Sequence, residues 1–316
     1  MSIGAVAGFA LVFLVTVVTL SAIGALVLGV ARSWLQKVGP MAERRVAEAA
    51  AVVPVAVAMI VVVSLVMQSM VGVDHCAVHD HHAHLCFTHG AQWIERTWVV
   101  AALAVAVTTF IGRIAIMVAT YLRGARSIRA LYELSRAHGD VRIVESDRAF
   151  CFVAKRGVFV SSRVWSLLPA GERHALVAHE HAHVRHGDLT KRVLLEALLL
   201  FAAPLVGERI RTAWMRASER LCDAHAASVT GDPEVVARAM VSMCRIGATQ
   251  PAPGFAFTPT VDELAARIQA VLSGGPLGER VAIALARVGL AACIGLAVVG
   301  VAAAEPIHHA FETLLG

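Results

Sequence analysis

Four long apolar runs and one polar stretch between the third and fourth set the plan of this chain. Ile3–Val30 contains no charged residue, and a helix of that length crosses ~30 Å of hydrocarbon. Ala51–Val73 is a second run, Trp98–Leu122, interrupted by Arg113, a third, and Val281–Ala304, with Arg287 near its start, a fourth. The pattern predicts transmembrane helices over 3–30, 51–73, 98–122 and 281–304. No Lys or Arg precedes Arg32, so the first run lacks the basic lead of a cleavable signal peptide and is expected to stay as an anchor. A charge such as Arg113, well inside a span, either faces a partner in the bundle interior or snorkels to the interface.

Between 123 and 280 the periodicity changes. Arg123 to about His138 reads as a basic helical extension of the third span. Three short runs follow, Val141–Val144, Phe150–Val153 and Val158–Ser161, separated by the turn candidates Ser146-Asp147 and Lys155-Arg156-Gly157; they predict strands. Leu168-Pro169-Ala170-Gly171-Glu172 opens a helix that Gly187 ends. Thr190 to about Leu205 is apolar but short and contains Glu196 and Pro204, which favours a helix that is buried or lies at the membrane face over a fifth span. Further helices are expected around 210–229, 232–247 and 261–273, with Pro251-Ala252-Pro253-Gly254 as a loop. The predicted fold class is a mainly α membrane protein of four transmembrane helices, with an α+β domain inserted between the third and the fourth. Its divisions are a membrane region over 1–122, the inserted domain over 123–280, and the last span with a short tail over 281–316.

Composition agrees with this plan. The chain is 58% hydrophobic and 16% charged, whereas a soluble domain is about half apolar and about a quarter charged. The basic residues set its orientation. Of 28 Lys and Arg, four lie in 31–50 and 21 in 123–280; the 74–97 connection holds only Arg96, and the tail after Ala304 holds none. Basic segments stay in the cytoplasm, so 123–280 is expected inside, and both termini and the 74–97 connection outside an inner (plasma) membrane. The net charge of +5 then reflects topology and contact with lipid headgroups. It does not call for direct nucleic-acid binding, since no nucleic-acid motif accompanies it. Cys151, Cys222 and Cys244 fall on the reducing side and are expected as free thiols. Cys293 lies within the last span, and Cys76 and Cys86 lie outside, where a disulfide can form.

The candidate chemistry sits in His179-Glu180-His181-Ala182-His183. Histidines four apart share one helix face and can hold a single Zn2+, with Glu180 beside them to accept a proton from the attacking water and pass it to a leaving amine. Catalytic zinc usually takes a third protein ligand. His186 lies nearly a turn beyond an ion held between the two histidines. A metzincin pattern would need glycine at 186 and histidine at 189, where His186 and Leu189 stand, and the inverted motif would need histidine at Val177. Glu219, on a separate predicted helix, is the remaining candidate. Asp223, four residues on and on the same face, can accept a hydrogen bond from the other ring nitrogen of a ligand histidine. His225 is a candidate donor to the tetrahedral oxyanion. The predicted β-unit beside such a helix suits a protease, because an edge strand can pair with an extended substrate.

The combination of HExxH with Glu219-Arg220-Leu221-Cys222-Asp223-Ala224-His225-Ala226 resembles the BlaR/MecR family of gluzincin-type membrane metallopeptidases, the transducers of β-lactam resistance. The likeness extends over 149–188 and is specific in 149–229, and three spans before the protease segment with one after it also fit. HtpX-type and CAAX-prenyl membrane proteases, with a related Glu-x-x-Ala-Asp pattern, are the near rival. The resemblance implies His179, His183 and Glu219 as ligands of one catalytic Zn2+, Glu180 as general base, Asp223 as partner of a ligand histidine, and a gluzincin-like domain. It implies a protein substrate, a transcriptional repressor or the protease itself, whereas the rival implies membrane protein quality control. The chain departs from the transducers in ending twelve residues after Ala304, so a penicillin-binding sensor and a role in β-lactam sensing are not expected. His181 also departs from the family pattern and is expected to point away from the metal.

The 74–97 connection carries His75, Cys76, His79, His81, His82, His84, Cys86 and His89. Such density suits a second zinc or a copper ion, and a metal- or redox-sensing element is expected there in place of the sensor domain. A metal-sensing membrane protein without peptidase activity is the reading from a different functional class.

Overall fold

The structure is a computed structural model, and it describes residues 3–71, 97–247 and 260–302. Helix α1 (Ile3–Val30) is followed by the short α2 (Arg32–Val38) and by α3 (Pro40–Val71), which passes through Pro54 without ending. The long α4 (Thr97–Leu134) leads into β1 (Ser135–His138) and β2 (Val141–Val144), then β3 (Cys151–Ala154) and β4 (Gly157–Ser161). Next come α5 (Ser162–Leu167), α6 (Ala170–Arg185), α7 (Asp188–Leu199), α8 (Pro204–Thr230), α9 (Pro233–Arg245), α10 (Val261–Ser273) and the apolar α11 (Glu279–Ala302). Three described helices contain stretches long and apolar enough to cross a membrane: Val6–Val30, Pro40–Met67 and Val100–Leu134. The protein is therefore mainly helical, with three described helices long and apolar enough to cross a membrane and one small sheet.

The sheet runs β1-β2-β4-β3. β1 and β3 pair antiparallel with their neighbours, whereas β2 and β4 run parallel. Alternation along the strands builds two cores. Val141, Cys151, Val158 and Val160 point to one face and pack with Val164 of α5, Leu168 and Leu176 of α6. Val144, Phe152, Ala154 and the fully buried Phe159 point to the other, against Ile128, Leu131 and Tyr132 near the end of α4. The sheet is thus clamped between the end of α4 and the helix that carries HExxH. β1 corrects the expected helix to residue 138. Ser135-Arg136-Ala137-His138 has no apolar alternation of its own and becomes a strand by pairing with β2, Ser135 opposite Val144 and His138 opposite Val141.

The expected connection over 31–50 is likewise helical, as α2 and the first turns of α3. Its residues share one core with the protease segment: Ala25, Leu28, Leu35, Ala42, Ala47 and Ala51 pack with Leu195, Leu199, Ile210 and Trp214. Gly39 and Gly278 allow the close crossing of α3 and the entry to α11. A Cβ on Gly39 would lie 2.2 Å from the Pro276 carbonyl oxygen, and one on Gly278 would lie 2.8 Å from that of Val38. Across this crossing Met41 N donates to the Leu277 oxygen at 3.0 Å.

Arg113 has a partner inside the bundle. Its guanidinium donates to the Leu199 and Ala202 carbonyl oxygens, each at 2.7 Å, capping the C-terminal end of α7, where the Leu199 oxygen also accepts from Ala202 N at 3.2 Å. Phe201, in the same turn, packs between Phe13 of α1 and Phe110 of α4. The short apolar α7 therefore ends between α1 and α4, and it is not among the described helices long and apolar enough to cross a membrane.

Candidate metal centre

Two helices bring the site together. α6 starts after Pro169 with Glu172 in its first turn, a favourable charge at the positive end of the helix dipole. Its small buried residues Ala175, Ala178 and Ala182 let α8 approach closely, with Ala226, Val236 and Val271 closing the contact. On α6, His179 and His183 stack one turn apart with ring centroids 5.1 Å from each other. From α8, Glu219 reaches both: its carboxylate oxygens lie 3.5 Å from Nε2 of His179 and 3.6 Å from Nε2 of His183. One ligand atom from each of the three lies within 4.8 Å of the others. Two imidazole nitrogens and one carboxylate from a second helix are the donor set catalytic zinc takes when a fourth position is left for water. The residues present fit that ion.

The opposite ring nitrogens are tied back. Asp223 Oδ1 lies 2.9 Å from Nδ1 of His179, and Asp188 Oδ2 lies 2.8 Å from Nδ1 of His183. With Nδ1–H donating to a carboxylate, each ring directs Nε2 toward the shared space, where loss of its proton frees a lone pair for a metal. Behind the carboxylates stands Arg267 of α10. It donates through Nε and Nη2 to the two oxygens of Asp223, both at 2.7 Å, and its Nη1 lies 3.0 Å from Glu219.

The electrostatics follow. Burial alone would lower the pKa of His179, but its bonds to Asp223 and Glu219 and their charges raise it to about 10. His183 is raised against its own burial by Asp188 and Glu219. Burial would raise Glu219, yet Arg267 and the two histidines hold it well below the ordinary carboxylate range. Without a metal, the centre therefore keeps a proton on the imidazoles where a cation would sit. Glu180 is 6% exposed, next along α6 from His179. Burial pushes up the pKa of the Cys151 thiol on β3, and the Glu180 carboxylate pushes it further. β3 is an edge strand that packs on α6.

His183, Asp188 and Cys222 form a second group of ligand atoms. Its shared nitrogen, Nδ1 of His183, already meets Asp188 and lies 3.3 Å from Cys222 Sγ. Burial raises the Cys222 thiol far above neutrality, so the cysteine remains a thiol and supports His183. Cys151, Cys222 and Cys244 are free, as expected.

His186 and His225 face each other, ring centroids 6.2 Å apart, and neither belongs to a ligand group among the described residues. Burial lowers the pKa of both. His181 is also outside these groups. The eight His and Cys residues of the external connection, including the Cys76–Cys86 pair, lie outside the described residues. Asp188 and Arg267 were not found by sequence reading. Asp188 lies beyond the HExxH helix, and Arg267 lies 44 positions from Asp223 on a helix with no motif of its own.

Comparison with known proteins places this geometry in context. Residues 137–211 match the model of Peptidase family M48. That is a zinc metalloprotease family, and the matched stretch contains His179, Glu180 and His183 but stops short of Glu219. No curated protein and no solved structure matches the chain.

Proposed function

We propose that this chain, whose residues 137–211 match the model of Peptidase family M48, is a membrane zinc metalloendopeptidase that cuts peptide bonds at the cytoplasmic face of the membrane. The observation that carries this reading is the convergence of His179, His183 and Glu219 from two helices with the buried Glu180 beside them. His179, His183 and Glu219 hold one Zn2+, with Asp223 and Asp188 fixing the rings. Zinc bound there polarises the scissile carbonyl and makes water more acidic. Glu180 accepts the proton of the attacking water and returns it to the leaving amine. The free edge of β3 pairs with an extended substrate, and His225 is the candidate donor to the oxyanion.

The proposed topology has four spans, over 3–30, 51–73, 98–122 and 281–304. By the positive-inside rule the 123–280 segment is cytoplasmic, and both termini and the 74–97 connection are outside. We favour a signalling protease, acting on a repressor or on itself, over membrane quality control. The core shared by α3 and the protease segment supports this by linking a span mechanically to the site. The His- and Cys-rich connection is then the external element that binds zinc or copper.

Metal analysis and a cleavage assay on the purified full chain test the reading. Glu180→Gln is expected to keep one zinc and lose about 10²–10⁴ in turnover, the usual share of general acid–base catalysis. His183→Ala is expected to lose the zinc. A Glu180→Gln protein of native activity would reject the mechanism.

A further inference from the structure

Two consecutive charged residues at the cytoplasmic base of the second span are almost fully buried: Glu43 is 1% and Arg44 4% exposed. At the mouth of a membrane helix such side chains ordinarily reach water, and burying them is costly unless each is paired. They are about 100° apart around α3, so they meet different partners. Nη2 of Arg44 lies 2.6 Å from Oδ1 of Asp188, whose other oxygen is the one on Nδ1 of His183. Glu48, at 3.1 Å, and the Trp214 ring fix the remainder of the Arg44 guanidinium. Glu43 turns instead to α8. Its Oε1 accepts from Nε and Nη2 of Arg216 at 3.0 and 2.7 Å, and its Oε2 accepts from Nη1 of Arg220 at 3.2 Å. Arg216 and Arg220 bracket Glu219 in sequence, three before it and one after.

We propose that Glu43 and Arg44 are positioning residues that hold the two halves of the metal centre in register, Arg44 acting through Asp188 on His183 and Glu43 through Arg216 and Arg220 on Glu219. The inference rests on His179, His183 and Glu219 being the metal ligands. One carboxylate shared between Arg44 and His183 fixes the plane and tilt of the ring, while Glu43 fixes the rotation of α8 and with it the aim of Glu219. Both grips sit on the helix that forms the second span, beside the crossing at Gly39 and Gly278. Rotation or sliding of that span moves them together, so the ligand set loosens on both sides at once.

The test uses the full chain in detergent and four measurements: zinc dissociation constant by chelator competition, the visible spectrum of the Co2+-loaded protein, turnover at saturating zinc, and the thermal midpoint without metal. Arg44→Gln and Asp188→Asn are each expected to weaken zinc binding about tenfold to a hundredfold, the usual cost of losing a partner of a metal ligand. Each is also expected to shift the cobalt spectrum. The double variant is expected to bind no more weakly than the weaker single one, because both changes break the same relay. Arg44→Lys, which keeps the buried charge, is expected to recover most of the affinity. Losses that multiply in the double variant, or a native zinc constant and cobalt spectrum in Arg44→Gln, overturn the proposal. If Arg44→Gln does not fold, Glu43→Gln is read in its place, with a weaker zinc constant expected and an unchanged one decisive against. A wild-type chain that binds no zinc removes the metal-centre reading itself, whereas one zinc held equally by all variants removes only the positioning role.

Discussion

Arg267 Nη1 lies 3.0 Å from the Glu219 carboxylate, so a guanidinium from α10 stands directly behind the proposed third metal ligand. The same group takes both oxygens of Asp223. Two buried carboxylates a turn apart on one helix repel each other, and without a metal this arginine is the fixed charge that opposes them.

Replacing Arg267 by Met is therefore expected to destabilise the metal-free protein by about 3–5 kcal/mol, the range for stranding a buried charge. The loss is expected to be smaller with zinc present, because the cation then supplies the missing positive charge. Thermal unfolding with and without zinc measures both; an equal loss in the two states would reject this account of Arg267.

A second expectation concerns pH, and its sign follows from His179. A folded pKa of about 10 against an ordinary 6.5 means that the protonated ring stabilises the metal-free fold. That contribution is fully present below about 6.5 and is lost as pH rises through about 10. Zinc requires the neutral ring, so affinity is expected to strengthen over the same interval and zinc binding to release protons. Calorimetry in buffers of different ionisation heat counts the protons. Glu219 acts in the opposite direction: its lowered pKa stabilises the fold above about 4.5, and this is lost as pH falls through its folded value.

Asp223→Asn keeps the shape of the side chain and removes its charge. It is expected to weaken zinc about tenfold to a hundredfold while the fold survives, since Arg267 can still donate to the amide oxygen. Competition with a chelator reads the constant; an unchanged value would show that the Asp223 charge does not support His179.

Arg113→Leu leaves the Ala202 carbonyl without its side-chain donor and the Leu199 carbonyl with the Ala202 N–H alone. Each unsatisfied buried acceptor costs about 1–3 kcal/mol, and the end of α7 is expected to fray. Faster proteolytic cutting around 200–203 would report it; native protection would show that other groups satisfy these carbonyls.

The parts of the site legible in the sequence are those governed by local spacing. His179 and His183 are one helical turn apart, Asp223 follows Glu219 by one turn, and the strands over 141–144 and 157–161 show their own apolar runs. β1 was not legible, because the hydrogen bonds that make 135–138 a strand come from β2. Nor was the burial of Glu43 and Arg44, which lie in the 31–50 connection. Their burial depends on Arg216, Arg220 and Asp188, residues more than a hundred positions away whose approach no local period encodes. The support of the centre is a tertiary property even where its ligands are a local one.

The meeting of Gly39 with the 276–278 backbone bears on the order in which the protein becomes competent. Every proposed ligand and the proton-accepting Glu180 precede Leu277 and Gly278 in the chain, so a nascent chain carries all the reactive groups before it has the segment against which the second span seats. Until residue 278 has emerged and docked, the base of that span lacks its final abutment.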